Sequence, residues 1–191
     1  MRITGGQFRG RVLHTPRGDH VRPTQDRVRE ALFSMLLAEL PGSRFLDLYA
    51  GTGAVGIEAL SRGAGSATWV EGDRGVHRFT VRNVTEIAGA SHAADVACSD
   101  VPRWIRSAGG AAAYDIVFAD PPYANAREGG LAELAAALVE AGTVAPGGLL
   151  IVETPVEAPV PALPGWAILR DRVYGKTRLV VRQLQPKEPQ P

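Results

Sequence analysis

From residue 44 onward, short apolar runs alternate with segments whose apolar residues recur at helical spacing. The apolar runs predict five strands, at Arg44–Ala50, Ala67–Glu71, Asp95–Ser99, Tyr114–Ala119 and Gly148–Glu153. Between them, helical spacing predicts helices that end near Leu60 and that span Arg74–Ala88 and Leu131–Ala141. Strands and helices that alternate in this way predict an α/β fold with a mainly parallel sheet and helices on both of its faces.

The two ends of the chain depart from this alternation. Trp166–Val173 and Thr177–Leu184 predict two strands joined at Gly175 by a tight turn, which makes a terminal antiparallel hairpin. A dehydrogenase would instead continue into a second βαβαβ half. At the amino end, Phe8–Leu13 predicts a small hairpin or flap, and a helix is expected to follow it with Thr24 as its N-cap. The sheet therefore has seven predicted strands and a small N-terminal β-hairpin and helix extension.

The composition of the chain predicts its compartment and bears on metal binding. No apolar run among the 191 residues approaches the ~20 needed to cross a bilayer, and the amino terminus lacks a secretory segment. The single cysteine, Cys98, cannot form an internal disulfide; we expect a cytoplasmic protein in which Cys98 is a small buried residue. The four histidines lack metal-ligand spacing, so no metal is expected.

The net charge of +1 is unevenly spread along the chain. Residues 1–30 carry seven arginines and three acidic residues, a net charge of +4, so the rest of the chain carries −3. A basic arm on a slightly acidic body is typical of a surface that meets phosphates, although a solvated arginine-rich edge would have the same composition.

The first predicted strand runs into a glycine turn, Gly51-Thr52-Gly53, at the start of a helix. Glycine lets the backbone approach a ligand closely, and the helix N-terminus presents free N–H groups. Glu71 ends the next strand 20 residues after Gly51, where an acid can accept hydrogen bonds from ribose hydroxyls. Gly56 completes a G-x-G-x-x-G spacing, which an NAD-binding protein would share. The turn therefore predicts a nucleotide-type cofactor, with a purely structural turn as the alternative.

Two features favour S-adenosylmethionine as that cofactor: the acidic residue Asp47, and a single glycine loop with too little chain left for a separate substrate domain. Asp47 is similar to the acid of methyltransferase first motifs, which helps to hold the methionine end. Asp100 follows the third strand, where such enzymes often meet the adenine amine, although it could instead cap the helix that starts at Val101. The expected cofactor contacts are Asp47, Tyr49, Ala50, Gly51, Thr52, Gly53, Glu71, Gly72, Asp73, Asp100 and Val101.

The fourth predicted strand ends in the tetrapeptide Asp120-Pro121-Pro122-Tyr123. The carboxyl ends of the strands in an open α/β sheet face the ligand crevice. The loop after the fourth strand is therefore expected beside the glycine turn after the first. The Asp120 carboxylate and a proline-loop carbonyl can hold an exocyclic base amine in line with a methyl donor. Paired prolines stiffen the loop, and Tyr123 can stack on a flipped base. Unless the tetrapeptide is only a turn, we expect these four residues to be catalytic. Together with the alternating strands and helices, they lead us to expect a Rossmann-like class I methyltransferase fold.

Three blocks of the chain resemble the bacterial 16S ribosomal RNA guanine-N2 methyltransferase D family. They are residues 2–11 (RITGGQFRGR), residues 22–33 (RPTQDRVREALF) and Leu46–Ala64, and the resemblance covers nearly the whole chain in order. It implies methylation of N2 of one guanine, guanine 966 in the family, in 16S rRNA. The implied substrate is the 30S subunit or a late assembly intermediate, and we expect a monomer with no membrane partner. The basic flap would then grip phosphates through Arg9, Arg11, Arg22, Arg27 and Arg29. Arg29 and Glu30 could equally be exposed partners on the helix.

On this interpretation residues 1–41 are a basic flap and helix that contact RNA, residues 42–185 are the methyltransferase domain, and residues 186–191 are a disordered tail. An adenine-N6 methyltransferase acting on DNA or transfer RNA would share the tetrapeptide, and an NAD-binding oxidoreductase would share the glycine spacing. A catalytically silent RNA-binding assembly factor would be marked by a damaged Asp120–Tyr123 motif, which is whole here.

Overall fold

The computed structural model describes residues 1–16, 26–89, 93–108, 113–122 and 129–186. Its helices in these ranges are α1 Asp26–Met35, α2 Ala54–Ser61, α3 Arg74–Ile87, α4 Val101–Ala108 and α5 Gly130–Glu140. Its strands are β1 Arg44–Leu48, β2 Ser66–Glu71, β3 Ala93–Cys98, β4 Tyr114–Ala119, β5 Val144–Pro155, β6 Trp166–Tyr174 and β7 Thr177–Leu184. One seven-stranded sheet holds them in the order β3-β2-β1-β4-β5-β7-β6, which confirms the predicted α/β, Rossmann-like fold.

The chain forms two compact units, and the first is Met1–Val101. In this unit β2 lies between β1 and β3, and both pairings are parallel. Four of the five β1 residues are buried, including Phe45, Leu46 and Leu48. A parallel strand covered on both faces has a nearly continuous apolar run, and this is the pattern that predicted β1.

The second unit, Pro102–Pro191, holds the other four strands. β4 pairs with β5 in parallel, and β5, β7 and β6 pair antiparallel, so the predicted terminal hairpin is confirmed. The predicted strand Gly148–Glu153 covers only six of the 12 residues of β5, Val144–Pro155. The pairing register with β4 shifts between Tyr114 and Ile116, and Gly147 has a φ of 75°, so the irregular first half of β5 has no strand periodicity.

The predicted N-terminal hairpin is reduced to one antiparallel bridge between Arg2 and Val12. The Ile3 N–H donates to the Arg11 carbonyl at 2.9 Å, and the Leu13 N–H donates to the Met1 carbonyl at 3.1 Å. Both Ile3 and Leu13 are buried. Residues 1–16, here called the N-terminal arm, are therefore a packed part of the first unit.

The structure also corrects the prediction for Cys98, and some other predictions lie outside its described residues. Cys98, expected to be buried, is exposed, because it ends β3, which is an edge strand of the sheet. The Thr24 cap and the tail from residue 187 lie outside the described residues. Within the described ranges, every helix is too short or too polar to cross a membrane.

Candidate functional site

The chain reverses between β1 and α2 through a left-handed backbone. Tyr49, Gly51 and Gly53 have φ angles of 58°, 58° and 80°, and Gly53 is the N-cap residue of α2. Glycine adopts this region at no steric cost, whereas tyrosine does not. Strained non-glycine residues cluster at ligand sites, so the turn after β1 is a candidate site on its backbone alone.

The glycines of this turn also allow close packing. A Cβ atom on Gly56 would lie 2.3 Å from Nε1 of Trp69, and one on Gly53 would lie 2.9 Å from Cγ2 of Thr80. Real Cβ atoms do not approach this closely, so α2 can pack directly on β2 only with glycine at position 56. The G-x-G-x-x-G spacing therefore has a structural role in addition to its predicted role in ligand binding.

Three consecutive carbonyl groups of the turn are held by side chains that the sequence analysis did not assign to the site. The Thr80 hydroxyl donates to the Gly51 carbonyl at 2.6 Å, and Trp69 Nε1 donates to the Gly53 carbonyl at 3.1 Å. Between them, Asn83 Nδ2 donates to the Thr52 carbonyl at 2.9 Å. These bonds hold the turn in one conformation before a ligand binds, which lowers the ordering cost of binding.

Asn83 also joins the turn to the N-terminal arm. Its Oδ1 accepts from the His14 N–H at 2.8 Å, and its Nδ2 donates to the His14 carbonyl at 2.9 Å. The side chain is fully buried. Polar residues at positions 80 and 83 share a helix face with the buried Val84 and Ile87, and this interruption of an apolar face is the sequence signal for their role.

Replacing Asn83 by alanine should loosen the turn and the arm together. Three backbone groups would lose a buried partner, at a cost of about 1–3 kcal/mol for each group left unsatisfied. We expect binding of S-adenosylhomocysteine, the product that the expected cofactor S-adenosylmethionine leaves after methyl transfer, to weaken about tenfold in calorimetry, and proteolysis within the arm to accelerate. Thr85→Ala, an exposed change on the same helix, is the control. Unchanged affinity and protection in folded Asn83→Ala would contradict this role.

Asp47 is hydrogen-bonded to the first turn of α2, directly after the glycine turn. It is buried, and its Oδ2 accepts from the Gly56 N–H at 2.9 Å, in the first turn of α2. A carboxylate is favourable at a helix N-terminus, where Gly53 supplies no side-chain cap. The structure thus gives Asp47 a scaffolding contact, and its predicted contact with the methionine end stays a prediction.

Glu71 lies where its spacing predicted, against the glycine turn. Its Oε2 accepts from the Gly51 N–H at 2.8 Å, and its Oε1 accepts from the Asp73 N–H at 2.7 Å. Asp73 is the N-cap of α3 and accepts from Gly75 and Val76 N–H groups at 2.7 and 2.9 Å. Asp73 therefore has a structural task that the sequence analysis did not assign, whereas the Glu71 carboxylate borders the turn directly.

The predicted adenine acid, Asp100, lies near Tyr49. Burial raises the pKa of the half-buried Tyr49 phenol, and the negative charge of Asp100 raises it further. A Cβ atom on Gly72 would lie 3.9 Å from the Asp100 Cα atom, so the loop after β2 contacts the loop after β3. Val101, buried, begins α4. Within the first unit the structure thus brings together the predicted residues after β1, β2 and β3.

The predicted catalytic tetrapeptide begins directly after β4, in the second unit. Asp120 is half-buried, Pro121 is buried and Pro122 is exposed, while Tyr123 lies outside the described residues. The last four residues of β4 are buried, and Asp120 directly follows them. A group at the end of such a strand is positioned more accurately than one on a long loop.

The arm contributes to a buried ionic cluster, which corrects the role proposed for Arg29. Arg29 is fully buried, and it donates to Glu58 at 3.2 Å, to Asp26 at 2.9 Å and to the Arg2 carbonyl at 2.6 Å. Glu58, also fully buried, pairs in addition with Arg62 at 2.7 Å and accepts from the Thr4 hydroxyl. The expectation that Arg29 grips phosphates is wrong, because its guanidinium is enclosed by these partners.

The other predicted RNA contacts differ in their surroundings. Arg9, Arg11 and Arg27 are exposed, and Arg11 donates from its guanidinium to the Glu86 carbonyl at 2.7 Å. Arg22 lies outside the described residues. The three described arginines are accessible to a polyanion, and their contact with RNA stays a prediction.

A sheet with a glycine turn after β1, an acid after β2 and a terminal antiparallel hairpin defines a Rossmann-like protein of the methyltransferase fold class. A solved protein of Escherichia coli, described as a candidate methyltransferase, superimposes with a TM-score of 0.85 at 36% identity, covering 98% of this chain and 99% of that one. The chain belongs to the family described as Conserved hypothetical protein 95, whose model matches residues 1–183.

The chain is also similar in sequence to curated ribosomal RNA methyltransferases. It is 39% identical over 188 residues to the ribosomal RNA small subunit methyltransferase D of Escherichia coli, covering 97% of this chain and 91% of that protein. The Haemophilus influenzae protein of the same name is 34% identical, covering 92% and 89%. The resemblance to the methyltransferase D family is thereby confirmed.

Proposed function

We propose that this protein transfers a methyl group from S-adenosylmethionine to the exocyclic N2 of one guanine, guanine 966 in the family, of 16S rRNA. The observation that carries the proposal is the 39% identity, over nearly its whole length, to a small-subunit rRNA methyltransferase. The intact tetrapeptide Asp120-Pro121-Pro122-Tyr123 supports an amine as the methyl acceptor.

The residues of the first unit suit the cofactor chemically. S-adenosylmethionine supplies an electrophilic methyl group on a positively charged sulfur. The Glu71 carboxylate, which borders the turn at Gly51, would accept hydrogen bonds from the ribose hydroxyls. Asp100 would accept from the adenine amine, and Asp47 and the Tyr49–Gly53 turn would hold the methionine end. Gly72, Asp73 and Val101 complete the proposed set.

The second unit would hold the acceptor. A guanine amine is a poor nucleophile because its lone pair is delocalised into the ring. Hydrogen bonds from the amine to the Asp120 carboxylate and to a carbonyl of the proline loop would favour the pyramidal nitrogen of the transition state. As the N–C bond forms and the S–C bond breaks, the nitrogen becomes acidic and loses its proton to Asp120 or to water, so no strong base is needed. Tyr123 would stack on the extruded base.

The RNA is proposed to be bound through its backbone by the basic arm. Arg9, Arg11, Arg22 and Arg27 would contact phosphates, while the shape of the substrate selects the guanine. We propose that the substrate is the 30S particle or a late assembly intermediate, met in the cytoplasm by a monomer.

Incubating the protein with unmethylated small subunits and a methyl-labelled donor tests the proposal. We expect label in 16S rRNA and N2-methylguanosine after nuclease digestion. N6-methyladenosine would overturn the choice of base. Label in large-subunit rRNA would overturn the choice of subunit; 83 residues of the chain are 37% identical to a large-subunit methyltransferase K/L. Tight NAD binding without S-adenosylhomocysteine binding would overturn the reaction class.

A further inference from the structure

We propose that the exposed face of α3 is a further RNA-phosphate-binding surface, formed by Arg74, Arg78 and Arg82 and continuous with the N-terminal arm. This rests on the proposed function and extends it, because it states where the RNA backbone would cross the first unit. None of these arginines belongs to the basic segment that the sequence predicted, because that segment ends at residue 30.

The three arginines form a single row. They are spaced four residues apart, so they lie on one side of the helix, with about 6 Å of axial rise between neighbours. All three are exposed, whereas Thr80, Asn83, Val84 and Ile87 are buried on the opposite face. The face that α3 presents to solvent is therefore lined by guanidinium groups, whose planar donor pairs suit phosphate oxygens.

Most of this charge is not neutralised within the described residues. Arg82 pairs with Glu86 at 2.7 Å, and Glu86 is the one acidic residue in α3. The pKa of Glu86 is lowered by Arg82 and, to a smaller extent, by His14, so this carboxylate already has two basic partners. Arg74 and Arg78 make no ion pair or hydrogen bond with a side chain in the described part of the chain. They are consequently available to an external anion.

The row of arginines runs from the N-terminal arm to the carboxyl end of β2. At its C-terminal end, Glu86 accepts from Arg11 of the arm through its carbonyl at 2.7 Å and contacts His14 through its carboxylate at 2.8 Å. At its N-terminal end, Arg74 follows the Asp73 cap, three residues after Glu71. A polyanion that lies along α3 would therefore reach from the basic arm to the carboxyl end of β2. A flexible RNA strand meets this requirement, because its phosphates recur along its length.

The double variant Arg74→Ala/Arg78→Ala tests the surface. We expect its affinity for 16S rRNA to fall about tenfold near 0.1 M salt. The slope of log affinity against log salt should become shallower by about 1.4–1.8, because each lost phosphate contact removes about 0.7–0.9. Binding of S-adenosylhomocysteine should not change. The matched control is Arg44→Ala, an exposed arginine at the amino end of β1.

Other results would contradict either the proposed surface or the assignment of RNA as its partner. Wild-type affinity and slope in the double variant would overturn it, and so would an equal loss in Arg44→Ala. If the double variant binds naked 16S rRNA normally but assembled small subunits weakly, the partner is a ribosomal protein and the RNA assignment is wrong. A wild-type protein that binds RNA through α3 but methylates none would instead defeat the proposed function and leave this surface standing.

Discussion

Replacing Asp120 by alanine is expected to slow methyl transfer by roughly 100- to 1000-fold, the loss typical of removing one preorganised hydrogen-bonding group from a reacting centre. The acceptor amine would lose the carboxylate that orients it and that stabilises its developing positive charge. Binding of S-adenosylhomocysteine should stay at the wild-type level, because every residue proposed to hold the cofactor belongs to the first unit and Asp120 belongs to the second.

Single-turnover rates with saturating RNA measure this effect apart from RNA affinity. Asp120→Asn keeps an acceptor oxygen without the charge, so its rate should lie between those of the wild type and Asp120→Ala. Glu140→Ala, which removes an exposed acid of the same unit, should transfer at the wild-type rate. Wild-type turnover by Asp120→Ala would remove Asp120 from the mechanism, whatever the base that is methylated.

Replacing Glu58 by alanine is expected to give the largest loss of stability. Glu58 is fully buried among Arg29, Arg62 and Thr4, and its removal leaves the buried Arg29 guanidinium without its main buried counter-charge. Breaking a buried ion pair from one side costs about 3–5 kcal/mol. For a chain of this size we expect a drop in the thermal midpoint on the order of 10 °C.

Thermal and urea unfolding followed by circular dichroism check this effect. Glu86→Ala also removes a glutamate that pairs with an arginine four residues away, but Glu86 and Arg82 are both exposed, so the midpoint should move little. Arg29→Met/Glu58→Leu, which replaces both charges by apolar groups, should recover part of the loss. Equal midpoints for Glu58→Ala and Glu86→Ala would show that the buried cluster contributes no more than a surface pair.

Arg29 shows why the sequence analysis assigned one arginine wrongly. It lies in an arginine-rich stretch, so its charge suggested a contact with phosphate. On α1, however, Arg29 lies on the same face as the buried residues Val28, Leu32 and Phe33. An ionisable group on an apolar face must be paired if it is buried, and its partner is Glu58, 29 residues away. The helical periodicity of α1 therefore indicates burial of Arg29, whereas the local charge of the segment indicates exposure.

α2 carries a similar signal. All eight of its residues are buried, which is typical of a helix surrounded on every side. Glu58 is its one ionisable residue, so its sequence alone required a counter-charge there. It did not identify Arg29, Arg62 and Thr4 as the partners, because two of them lie 29 and 54 residues away along the chain.

The sequence by itself determined the order along the chain of the seven strands of the sheet, the glycine turn and the position of Glu71 after β2. These depend on periodicity, on backbone freedom at glycine and on the length of one β-α-β unit, all of which are local. Only the tertiary structure decided that Thr80, Asn83 and Trp69 hold the turn and that Arg29 is buried. These roles depend on which polar groups meet in the interior, and a buried polar group must find a partner wherever the chain folding brings one.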